Sequence, residues 1–235
     1  MTLKVTTFSS KGRVTRVFGH KTKRIHHLQS DNQLRVFFAL EWLDKVTNIE
    51  ENVELKDLMI TLNSIEDLRL DKFMNQKTGE LYKLHTNFLV TIKSDNVFNQ
   101  IAISVKSISE LERKIVIEKM EIERRYWECK KVPFYLITER EIDKKFVKNI
   151  EWVRETLNID SINEKALFSE QLYYFLRENS EELVEEALKK FDFEMNLLEG
   201  TALFLFRYLI AKREIEIDMY KTIDLNKKVI ESIKF

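Results

Sequence analysis

The sequence predicts an α/β domain built on a mixed sheet, followed by a smaller helical module. Two observations carry that reading. Between about His85 and Glu155 the patterns run strand, strand, helix, strand, helix, and beyond Asn158 they change to consecutive helical segments. The chain has 235 residues, 44% of them hydrophobic and 11% aromatic, enough for one large core or two modest ones. One Pro and four Gly leave no room for a linker rich in either, so the two domains, expected at residues 1–158 and 159–235, should abut.

The elements follow in order. Ser30 or Asp31 offers an N-cap for an apolar helix over Leu34 to Leu43, L-R-V-F-F-A-L-E-W-L, apolar almost all round and so expected to be buried. An acidic stretch to about Leu70 reads as irregular. H-T-N-F-L-V-T-I and N-Q-I-A-I-S-V-K, joined by the polar turn K-S-D-N, read as a hairpin. A long helix is expected from about Ser109 to Lys131, with Leu111, Ile115, Ile122 and Tyr126 on one stripe. V-P-F-Y-L-I-T reads as a strand buried on both faces, and a helix from about Asp143 to Glu155 closes the domain. Helices then follow near Glu164–Glu178, Ser180–Phe191 and Gly200–Arg213, the last behind a capping-box spacing at Asn196 to Glu199. R-E-I-E-I-D-M-Y alternates as a strand. Three helices and a strand suit a winged-helix module with the third helix as recognition element, although Phe204, Phe206, Leu209 and Ile210 suit a core better than a DNA-facing surface, and many winged helices bind proteins.

Composition narrows the function classes. A single cysteine, Cys129, excludes an intramolecular disulfide framework, and no Cys/His cluster has zinc-site spacing. Beside Lys130 and Lys131, Cys129 reads as structural. No apolar run approaches a membrane span, and the N-terminus lacks a signal-peptide core, so a cytoplasmic protein without a membrane partner is expected. Formal net charge is zero, but the charge is uneven: Met1 to Ser30 holds seven bases, three histidines and no acid, whereas Asp31 to Asp71 holds ten acids and four bases. A positive field on one segment suits contact with phosphate, and a solvated arm without a partner is the plain alternative. Within it Lys21, Lys23, Arg24, His26 and His27 are the candidate DNA-binding residues, with adjacent histidines also common as a structural pair. The bases and acids from Lys114 to Glu128 read as a solvated, salt-bridged helix face, with Arg124 and Arg125 as weaker DNA candidates.

The stretches H-K-T-K-R-I-H-H-L-Q-S-D, A-L-E-W, F-L-V, I-E-K-M-E-I-E-R-R-Y-W, V-P-F-Y-L-I-T-E-R-E-I and N-I-E-W resemble, in order from Val17 to Glu155, the TnsA endonuclease family of heteromeric transposases. That resemblance implies a restriction-endonuclease-like domain followed by a winged-helix-like domain. It also implies cleavage of the non-transferred strand at transposon ends, and partnership with DNA, a TnsB-like transposase and a TnsC-like ATPase. The family's site supplies carboxylates for Mg²⁺ and a lysine near the attacking water. The corresponding positions here are Gln33, Asn87, Ser104 and Lys106, where the family carries Glu, Asp, Gln and Lys. Glu to Gln and Asp to Asn keep shape while deleting charge.

At an effective dielectric of about 20, two unit charges roughly 4 Å apart interact by about 4 kcal/mol, and a divalent ion doubles that. Loss of both carboxylates therefore predicts weak or absent metal binding, and a subunit retained for assembly with little or no cleavage. Asp31, Glu41 and Asp95 are alternative carboxylates, although Asp31 suits a helix cap, Glu41 the A-L-E-W segment and Asp95 a turn. An active nuclease with displaced ligands and a domesticated interaction module, for example in a defence system, are the competing functions.

Overall fold

The computed structural model describes residues 14–95, 97–158 and 165–235, which form two compact units, one up to Ile142 and one from Asp143 to Phe235. The division falls earlier than the expected 158/159 because the helix after Asp143 packs within the second unit.

The first unit opens with an antiparallel hairpin, β1 (Thr15–Gly19) and β2 (Arg24–Leu28). The part of the basic arm from Thr15 to Leu28 is thus a folded element, and residues 1–13 lie outside the described residues. Helix α1 (Asp31–Trp42) starts on Ser30, whose hydroxyl accepts from the Gln33 N–H, so Ser30 and not Asp31 is the cap. Its residues Val36, Phe37, Phe38 and Leu40 are buried, as the all-round apolar pattern predicts.

The acidic stretch expected to be irregular contributes a nine-residue strand, β3 (Val46–Glu54), and a single-turn helix α2 (Leu58–Thr61). The sheet runs β3, β4 (His85–Ser94), β5 (Val97–Val105), β6 (Phe134–Ile137), the first three antiparallel and β6 parallel to β5. The mixed sheet and the predicted hairpin are both present, and Asp95 forms the turn at positive φ. In the central strands both parities are buried, with Leu89 and Ala102 on one and Phe88, Val90, Ile103 and Val105 on the other, so both faces are covered.

One core gathers Leu89 and Ala102 with Ile122, Tyr126 and Trp127 and with the leucines of the 55–84 segment. β6 is an edge strand with Tyr135 exposed, not the doubly buried strand expected, because among the described residues it pairs with β5 alone. The long helix is two: α3 (Ile108–Leu111), with a capping box from Ser107 and Glu110, and α4 (Lys114–Cys129). Arg113, at ψ 117°, breaks them.

The second unit contains α5 (Lys144–Arg154), α6 (Lys165–Glu178), α7 (Val184–Glu194), α8 (Thr201–Ala211) and the short α9 (Val229–Ser232). α8 packs against α5, α6 and α7, and its Leu205, Phe206, Leu209 and Ile210 are buried. These side chains are core. The capping box expected at Asn196–Glu199 does not form: α8 starts on Gly200 at φ 88°, and the buried Asp192 carboxylate accepts from the Gly200 and Ala202 N–H groups at 2.8 and 2.7 Å. The strand expected at Arg213–Tyr220 is reduced to one bridge, Glu216 to Lys234. Arg213 at φ 61° turns the chain, and the expected alternation is kept, with Ile215 and Met219 buried and Ile217 half-buried while Glu214, Glu216, Asp218 and Tyr220 are exposed.

Candidate active site

The site is built where the paired ends of β4 and β5 meet. The Asn87 side-chain oxygen accepts from the Val105 N–H at 2.7 Å, from Lys106 Nζ at 3.3 Å and from Ser104 Oγ at 3.5 Å. Lys106 Nζ also donates to the Val105 carbonyl at 3.2 Å, while its backbone N–H donates to the Ile137 carbonyl, which fixes the strand end against β6. Asn87, Ser104 and Lys106 therefore converge on one oxygen, as neighbouring positions on two paired strands allow.

Gln33 stands apart from that cluster in its bonding. It is buried at the start of α1, and its side-chain oxygen accepts from the Gln29 N–H at 2.9 Å. Among the described residues no hydrogen bond joins it to the other three. The four positions thus offer two amides, a hydroxyl and an ammonium, a donor set that does not fit a hard divalent cation. Among the described residues no three His, Cys, Asp or Glu side chains gather as a metal site.

A charged network underlies the lysine. Glu123 on α4 is fully buried, with one carboxylate oxygen accepting from Thr86 Oγ1 at 3.0 Å and the other 3.2 Å from Lys119 Nζ. Trp127 Nε1 donates to Thr86 Oγ1 at 2.8 Å, and Lys119 Nζ donates to the His85 carbonyl at 2.8 Å. Burial holds the Lys106 ammonium below its ordinary range; the Glu123 charge offsets part of this and Lys119 adds to it. The sequence pattern places Glu123 on a solvated salt-bridged face. Its burial is signalled only by its place one turn before Trp127, which is itself buried. Arg124 and Arg125 do lie on that solvated face, paired with Glu121, Glu128 and Asp67.

At the neighbouring strand end Glu139 accepts from the Ile108 N–H at 3.1 and 3.2 Å and from Asn32 Nδ2 at 3.5 Å. It links the start of α1 to the segment after Lys106, a role with no signature in the sequence. Of the alternative carboxylates, Glu41 accepts from the His20 and Lys21 backbone N–H groups, and Asp31 sits in the first turn of α1.

The candidate DNA-binding residues separate into two groups. Lys21 Nζ donates to the Leu43 and Val46 carbonyls. Arg24 pairs with both Glu51 carboxylate oxygens and donates to the Ile49 carbonyl at 3.0 Å. His26 is fully buried, with Nδ1 2.7 Å from Glu51 Oε2, Nε2 2.6 Å from Thr22 Oγ1 and its ring tilted against Phe37. These three fasten the hairpin to β3 and its flanks. Lys23 and His27 are exposed. Burial pushes the Glu51 carboxyl upward, but its bonds from His26 and Arg24 outweigh that and hold it at about 2.

The first unit is thus a mixed four-stranded sheet with an amide-and-lysine cluster at its paired strand ends. Comparison with known families identifies the class. Residues 44–139 match the family described as TnsA-like endonuclease N terminal, and residues 141–219 match TnsA endonuclease C terminal. The first match takes in Asn87, Ser104 and Lys106 and begins after Gln33. The Escherichia coli protein "Transposon Tn7 transposition protein TnsA" is 33% identical over 220 residues, covering 93% of this chain and 78% of that one. The chain belongs to the TnsA endonuclease family. Among the described residues no helix is long and apolar enough to cross a membrane.

Proposed function

We propose that this chain acts as the TnsA-like subunit of a heteromeric transposase, binding transposon-end DNA together with TnsB-like and TnsC-like partners, with little or no nuclease activity of its own. The observation that carries this is the Asn87 oxygen, neutral and already accepting from a backbone N–H, a hydroxyl and the Lys106 ammonium. A carboxylate there would attract a divalent ion, whereas an amide saturated by three donors has little left to offer one. The fold and the lysine are kept, which supports an assembly role. The winged-helix character expected of the second unit contributes nothing to this reading.

The test is nicking of end-containing duplex DNA in Mg²⁺ or Mn²⁺. Wild type is expected to give no cleavage that Lys106→Ala removes, and Gln33→Glu/Asn87→Asp/Ser104→Gln is expected to gain it. Lysine-dependent cleavage by the wild type overturns the reading. One observation favours an active enzyme instead: Glu139 places a carboxylate next to Asn32, one residue from Gln33. Wild-type cleavage abolished by Glu139→Gln would establish that second reading.

A further inference from the structure

Strand alternation divides the β1–β2 hairpin into two faces. Gly19, His26 and Leu28 are buried beneath it, while Arg16, Phe18, Ile25 and His27 are all exposed. The register pairs Arg16 with His27 and Phe18 with Ile25, so the outer face presents one rung of nitrogen donors beside one apolar rung. Lys23, exposed at φ 55°, marks the turn. The acids that bond the hairpin do so elsewhere than at its outer side chains: Glu51 holds Arg24, His26 and the His27 N–H, and Glu41 the backbone N–H groups at His20 and Lys21. The outer face is therefore basic and apolar with no acid of its own.

An isolated two-stranded hairpin is marginal in water, so the bonds of Arg24, His26 and Lys21 to the sheet and its flanks matter for rigidity. Gly19 belongs to the same arrangement, because a Cβ there would lie 2.3 Å from Thr22 Oγ1 and 2.8 Å from His26 Nε2. The result is a stiff ribbon whose bases sort into anchors below and contacts above.

We infer that this ribbon is a duplex-DNA reader that enters the major groove, with Arg16 and Lys23 meeting phosphates and the Phe18–Ile25 rung and His27 facing base edges. This rests on the reading of the chain as a DNA-binding transposase subunit. A major groove about 12 Å wide admits a two-stranded ribbon, and apolar side chains there contact the thymine methyl group. Phosphate contacts supply the salt-dependent part of affinity and base-edge contacts the sequence-dependent part.

Fluorescence anisotropy with the full chain, on duplex DNA of transposon-end and of random sequence across a salt series, tests it. Arg16→Ala/Lys23→Ala is expected to weaken binding at least about tenfold near physiological salt and to lower the salt slope by about two, one per phosphate contact. Ile25→Ser is expected to narrow the difference between end and random DNA with the slope unchanged, and Lys227→Ala in the second unit to leave binding as it is. Melting curves check that these exposed substitutions leave the fold intact. The inference is overturned by wild-type binding from the double variant, by an equal loss from Lys227→Ala, by absence of wild-type duplex affinity, or by preference for single strands. Transposition with the partner proteins reads the subunit role separately: a chain that supports it while the ribbon variants bind DNA normally keeps the role and loses the ribbon.

Discussion

Replacing Asn87 with Asp restores one charge to the site and leaves its geometry alone. The side-chain oxygen lies 3.3 Å from Lys106 Nζ. A unit negative charge at that separation, at an effective dielectric of about 20, interacts with the ammonium by about 5 kcal/mol, an upper bound. Both residues are half-buried, and solvent reaching the pair should leave about 2 kcal/mol, enough to raise the lysine's titration midpoint by more than about one pH unit. In the wild type burial lowers that midpoint, with Glu123 only partly opposing, so the variant moves Lys106 back toward an ordinary lysine. Nitrogen NMR titration of labelled lysine side chains measures this, with Lys106→Ala giving the assignment. The introduced carboxylate, held by the ammonium and by the Val105 N–H, is also expected to leave nicking unrestored without Gln33→Glu. An unmoved Lys106 titration would refute the placement of Asn87 beside it.

The anchors of the hairpin give a pH-dependent prediction. Glu51 titrates near 2 in the fold and near 4.5 when unfolded, so its contribution is complete above pH 4.5 and is lost as pH falls toward 2. The full difference is worth about 3 kcal/mol, reduced to about 1–2 because Arg24 is 42% exposed. Urea unfolding of wild type and Glu51→Gln should therefore differ at about pH 6 and converge near pH 2, and parallel profiles would count against the linkage. Gly19→Ala should cost about 1–3 kcal/mol, since the new methyl meets Thr22 and His26, and Gly19→Ala/Thr22→Ala should recover part of that loss. Asp192→Ala, which removes the carboxylate bonded to the first N–H groups of α8, should lower stability by about 1–2 kcal/mol, and a thermal melt that does not move would refute the cap.

What the sequence made legible was set by period and spacing. The β4–β5 hairpin, the apolar α1 and the three helices of the second unit carry strong periodicity, and each is present. β3 is hidden in the sequence because V-T-N-I-E-E-N-V-E puts an acid, Glu51, at an inward position next to the exposed Glu50 and has an irregular register between Val46 and Asn48, and only its pairing to β4 makes it a strand. The hairpin β1–β2 reads as an arm because its inward residues include Gly19 and His26, minimal or polar side chains that no hydrophobic pattern marks. The same cause governs the site. Asn87, Ser104 and Lys106 were found by resemblance to a motif, and the structure unites them through one oxygen. Glu51, Glu123 and Glu139 were passed over because a carboxylate's partner lies far along the chain: Glu51 reaches back to Arg24 and His26, and Glu123 to Thr86. Charge counting in sequence assigns such acids to solvent. Their bonding to named donors is a tertiary fact, and at Glu51 it divides the basic segment into anchors beneath and exposed bases above.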